Sequence, residues 1–168
     1  MLASALLLVF PALMAWAAAS DLLTMTIPNR LTLGLAGAFV VFAVAARLPP
    51  WEIAMCVAAS AAVLAVCFGL FAMGWMGGGD AKLAAASALW FGFAPLMDYL
   101  LTAALAGGGL TLALLGMRTL TLPRFALGWP WLVRLHDKAT GVPYGIALAF
   151  AALAVYPQSP IWTAVVAG

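Results

Sequence analysis

The sequence predicts an all-helical integral membrane protein, a bundle of about six transmembrane helices with both termini outside, in one polytopic domain over residues 1–168. Three observations predict it. Hydrophobic residues make up 67% of the chain and charged residues 7%, with mean hydropathy +1.16, whereas a soluble domain carries roughly 25% charged residues. The uncharged residues fall into six stretches, 1–20, 31–46, 53–79, 83–97, 99–117 and 139–168, without the period-two alternation of barrel strands. The basic residues gather in alternate connections, which sets an orientation.

A spanning helix needs about 20 residues. The first stretch meets that length. Its "AWAAAS" offers small residues for cleavage, but no Lys or Arg precedes Arg30, so it lacks the basic start of a signal peptide and reads as a retained span. The second and fourth stretches are short and must borrow flanking residues or rely on neighbours. The third holds Cys56 and Cys67. Eleven residues apart on one helix they lie about 16 Å apart, too far to bridge, and read as small apolar core residues. Pro95 and the glycines at 107–109 are tolerable within a membrane bundle. The sixth stretch opens on "VPYG", residues 142–145, whose Gly145 permits close helix packing near the acids discussed next.

Arg30, Lys82 and the group Arg118, Arg124, Arg134 and Lys138 occupy the odd-numbered connections; Arg47 alone occupies an even one. The positive-inside rule then places the odd connections in the cytoplasm. Trp16, Trp51, Trp75, Trp129 and Trp131 fall near the predicted boundaries, as an aromatic belt requires. In this orientation Asp21, at the end of the first span, and Asp80, at the start of the fourth, share the cytoplasmic side, while Glu52 and Asp98 lie outside.

Ionisable groups at membrane depth are costly and point to function. Two carboxylates within a few ångströms share a proton near neutral pH. The ionised one can then activate water while the protonated one polarises a carbonyl. Glycines beside them let backbone approach closely. Each residue also has a plainer reading: Gly77 to Gly79 as a turn, Asp80 as an N-cap, and Asp21 as an interfacial residue.

"SDLLTMTIPNRLT", residues 20–32, taken with "GGGDAKL", residues 77–83, resembles the type IV prepilin peptidases, polytopic aspartic peptidases of the GxGD group. The likeness covers an Asp closing the first span, Ile27-Pro28-Asn29, and Gly77-x-Gly79-Asp80 with Lys82 and Leu83. It implies removal of the leader peptide from a prepilin at the cytoplasmic face of the bacterial inner membrane. Asp21 and Asp80 are then the catalytic pair, without metal or cofactor. The partners implied are the prepilin, through its leader and apolar helix, and membrane lipid, with no nucleic acid. Gly77, Gly79, Lys82, Pro28 and Asn29 are supporting residues. Lys82 either supports Asp80 electrostatically or serves as a membrane anchor, and Pro28 and Asn29 shape the turn into the second span. Larger members carry an N-terminal region with paired CxxC motifs and also methylate the new N-terminus. This chain shows neither, and it resembles the short, peptidase-only enzymes of Flp (tight-adherence) pili, with those that act on archaeal preflagellins as the second choice. Relatives often place a basic residue between the first Asp and Ile-Pro-Asn, where Leu22 to Thr26 have none.

The segment 118–138 mixes tryptophans with four basic residues and is expected along the inner membrane surface, as ordinary anchoring or as a site for anionic lipid or an acidic group. His136 is expected as a solvated loop residue. Two other functions fit the composition: a small transporter or proton-relay protein using the same two acids, and a catalytically silent pilus-assembly subunit.

Overall fold

The computed structural model describes residues 7–167, and no strand occurs among them. The helices are α1 (Val9–Thr24), α2 (Asn29–Ala45), α3 (Pro50–Ala72), α4 (Gly78–Phe91), α5 (Leu96–Met117), α6 (Pro130–His136), α7 (Tyr144–Val155) and α8 (Pro160–Ala167). Short 3-10 turns at Arg124–Gly128 and Tyr156–Gln158 precede α6 and α8. Residues 1–6 of the first predicted stretch, and Gly168 of the last, lie outside the described residues.

Proline sets most of the starts. Pro28, Pro49, Pro95 and Pro143 stand at the N-cap positions of α2, α3, α5 and α7, where a missing N–H costs nothing. Pro95 is therefore a helix start and not a residue within a span. The break before it is made by Gly92, which turns the chain at φ 64°, a region open to glycine.

The protein is a membrane protein by composition and helix type. α3 and α5, at 23 and 22 residues, are long and apolar enough to cross a bilayer. α7 and α8 make a third crossing if they count as one span bent by 42°. α1 and α2 are shorter apolar helices of 16 and 17 residues. The outer faces of α2, α3 and α5 expose Leu33, Val40, Val57, Val66, Leu105 and Leu112. Such a surface would be untenable in water.

The core is built on α4 and α7. α4 packs against α3 and α2, and α7 against α5 and α1. Both are rich in small residues, with Ala81, Ala84, Ala85 and Ala88 buried on α4, and Ala147, Ala149, Ala151 and Ala152 buried on α7. Small side chains let backbones approach where lipid supplies no hydrophobic drive between helices. One approach is extreme: a Cβ at Gly107 of α5 would occupy the place of the Tyr144 ring on α7. At its far end α4 is anchored by the buried Trp90. Its ring lies 4.8 Å from Phe10 and 5.5 Å from Phe42, and its Nε1–H donates to the Leu35 carbonyl at 3.1 Å. Aromatic pairs of this kind contribute about 0.5–1.5 kcal/mol each. Cys56 and Cys67 are both free and buried in α3.

Candidate active site

α4 begins at Gly78, with Gly77 as an extended N-cap residue at φ −70° and ψ 140°. Asp80 therefore lies in the first turn and is not the cap, and no side chain caps this end. The three glycines owe their identity to close approach. A Cβ on Gly77 would stand 2.9 Å from Oδ2 of Asp80, one on Gly78 3.2 Å from the Phe71 ring, and one on Gly79 3.3 Å from Cβ of Ile27. The left-handed glycine of this connection is Gly74, at φ 75°. The first-turn N–H groups of α4 have no acceptor within the helix.

Asp21 lies in the last turn of α1 and is only 5% exposed. Its Oδ2 accepts the N–H of Gly145, at the start of α7, over 2.7 Å. A buried carboxyl keeps such a partner because an unpaired one is costly. Gly145 is there for the same reason: a Cβ on it would sit 2.8 Å from that oxygen and 3.0 Å from Cδ1 of Ile27. The sequence pointed to Gly145 for helix packing, and the structure adds the hydrogen bond.

The structure brings the two acids to shared clefts. Asp21 and Asp80 line one cleft of about 850 Å³ and also a second of about 310 Å³ beside it. Gly77, Gly78 and Gly79 form part of the smaller cleft. The larger one reaches Trp75, Thr111, Thr140 and Tyr144. Glu52 and Asp98 stand in the first turns of α3 and α5, and Asp98 is separated from Asp80 by all of α4. At 14 residues that helix is about 21 Å long.

Pro28 and Asn29 start α2, as the turn into that helix requires. Asn29 does more than turn the chain: its Oδ1 accepts the ammonium of Lys82 at 3.0 Å. Lys82 thus joins the start of α2 to the first turns of α4. His136 differs from expectation: it closes α6 as a half-buried helical residue, with Nδ1 buried and without a hydrogen-bond partner.

Two arginines of segment 118–138 bond backbone carbonyls of the bundle. Arg134 donates to the Leu23 carbonyl in the last turn of α1, at 2.8 Å. Arg118 is only 8% exposed. Its Nε donates to the Leu135 carbonyl at 2.8 Å, and one terminal nitrogen donates to the carbonyls of Thr140 and Gly141 at 2.9 Å. It pins the loop that walls the larger cleft. A guanidinium does this because its donors form a rigid fork. Charge counting alone reads Arg118 as an anchor, since nothing in its neighbourhood in sequence announces three carbonyl partners. Arg118→Met is expected to destabilise the protein by about 2–4 kcal/mol, since the buried Leu135 carbonyl and the part-buried bonds to Thr140 and Gly141 lose their donor. Arg118→Lys should restore little, because one ammonium cannot reproduce the fork. Thermal unfolding in detergent checks both.

The model of the type IV leader peptidase family matches residues 8–112. The chain belongs to that family. It is accordingly a leader-peptidase-like membrane protein, and the family implies a prepilin-type substrate. Comparison with curated proteins and with solved structures found no match. Both acids, Ile27-Pro28-Asn29 and the glycines at 77–79 fall inside the matched stretch. Arg118, Tyr144 and Gly145 fall beyond it, so the partner of Asp21 comes from a part of this leader peptidase homologue that the family match does not reach.

Proposed function

We propose that this chain is an aspartic endopeptidase that removes the leader peptide of a type IV prepilin-like precursor, of the Flp kind, at the cytoplasmic face of the bacterial inner membrane. The observation that carries the reading is the placement of Asp21 and Asp80, from the end of α1 and the start of α4, in the lining of the same two clefts.

The chemistry follows from that arrangement. The Asp21 oxygen that accepts the Gly145 N–H is the unprotonated oxygen of its carboxyl. A proton held by the pair then lies on the other Asp21 oxygen or on Asp80. A water between the carboxylates gives up a proton to the ionised one, and its oxygen attacks the scissile carbonyl carbon. The protonated acid donates to the carbonyl oxygen. Collapse of the tetrahedral intermediate breaks the C–N bond, and the departing nitrogen takes a proton from the pair. The leader leaves as a carboxylate and the mature protein gains a free amine. An extended substrate beside Gly77–Gly79 meets first-turn N–H groups that no helical carbonyl uses.

The reading includes six spans with both termini outside and the acids inside, supported by the six basic residues of the odd connections against one in the even ones. Exposed apolar faces on α2, α3 and α5 support lipid contact around the bundle. The test is direct. Purified protein incubated with an Flp-type precursor in detergent should release a shortened product with a single new N-terminus. A wild-type protein that leaves every such precursor intact would return the silent-subunit and proton-relay readings to first place.

A further inference from the structure

Met25 ends α1 in the left-handed region, at φ 55° and ψ 31°, with its N–H donating to the Asp21 carbonyl at 2.8 Å. A residue with a side chain is strained there. Glycine or asparagine ends a helix in this conformation more readily. The strain is held by neighbouring hydroxyls. Ser20 Oγ donates to the Thr26 carbonyl at 2.8 Å, Thr24 Oγ1 donates to the Ser20 carbonyl at 2.7 Å, and the Thr24 and Thr26 hydroxyls bond each other at 2.7 Å. A strained conformation fixed by its surroundings is found chiefly at functional sites.

The position of Met25 gives the strain a use. Among the described residues, four line both clefts: Asp21, Met25, Gly77 and Asp80. Two of these are the acids and one has no side chain. Met25 is the remaining residue of this shared lining, and it carries an apolar side chain. We propose that Met25 is a specificity-determining residue, which gauges the size of the substrate side chain beside the scissile bond. A thioether suits the task, being apolar and adaptable in shape.

The inference rests on the peptidase reading, and the experiment separates the two. The probe is one prepilin-like precursor prepared as a panel, with Gly, Ala, Leu or Phe in turn on each side of the cleaved bond. Met25→Gly relieves the backbone strain, so its unfolding temperature should hold or rise. Its kcat/KM for the Leu and Phe precursors, relative to the Gly precursor, should increase by about tenfold or more, the range that a change in an apolar pocket produces. Met25→Leu should keep the wild-type ratios. Equal changes across the panel, or wild-type ratios in Met25→Gly, would overturn the gauge while the peptidase reading stands. A wild type that cuts no member of the panel would overturn both.

Discussion

Asp21→Asn and Asp80→Asn should each lower cleavage by about a thousandfold or more while the protein remains inserted and folded. Asparagine keeps the size of aspartate, and at position 21 it can still accept the Gly145 N–H. It cannot take a proton from water or return one to the leaving nitrogen, and positioned acid–base groups contribute about 10²–10⁴-fold each. The double variant should be little worse than either single one, because members of one catalytic unit lose activity together. Asp98→Asn and Glu52→Gln, at the start of α5 and of α3, should cleave normally. Initial rates on a purified precursor, with unfolding temperatures measured alongside, decide the matter. An active Asp21→Asn protein would sink the proposed pair.

Gly145→Ala should reduce cleavage by about a hundredfold. The added methyl carbon would stand 2.8 Å from the Asp21 oxygen and 3.0 Å from the Ile27 side chain, so one of the three must move. Displacing a reacting group by about 1 Å can cost 10²-fold in rate. The loss should fall on kcat, since neither the leader nor its apolar helix is touched. Gly79→Val should follow the same course, because its nearest neighbour is Ile27 at 3.3 Å and valine adds two further carbons. Gly109→Ala is the control: nothing lies within 4 Å of a Cβ there, and alanine is the better helix former. Equal activity in Gly145→Ala and Gly109→Ala would remove Gly145 from the positioning of Asp21.

These residues also show where the sequence was legible. Asp21 and Asp80 stood out because a chain with five acids spends them sparingly in lipid, and motif spacing joined them. Helical class followed from the apolar runs, and Pro28 announced the start of α2 through its fixed φ. The pairing of Lys82 with Asn29 was not legible, since a flexible lysine beside Asp80 has several partners within reach. Arg118 was hidden for a related reason: in a loop rich in cations, nothing local separates a buried clamp from an anchor. The left-handed turn at Met25 was also invisible, because glycine is the usual mark of that conformation and the hydroxyls that hold it look like ordinary polar surface.

The hydrogen bond between Asp21 and Gly145 joins residues 124 positions apart, and that span has a consequence for biogenesis. A chain is made from its N-terminus at about 5–20 residues per second. Roughly 6–25 s therefore separate the synthesis of the first acid from that of the glycine that fixes it. Asp80 is made well within that interval, so a growing chain carries both acids before it carries the group that orients one of them. On the proposed chemistry, competence arrives with α7 and not with the two acids themselves, and a growing fragment that ends before α7 holds both acids without the group that orients Asp21.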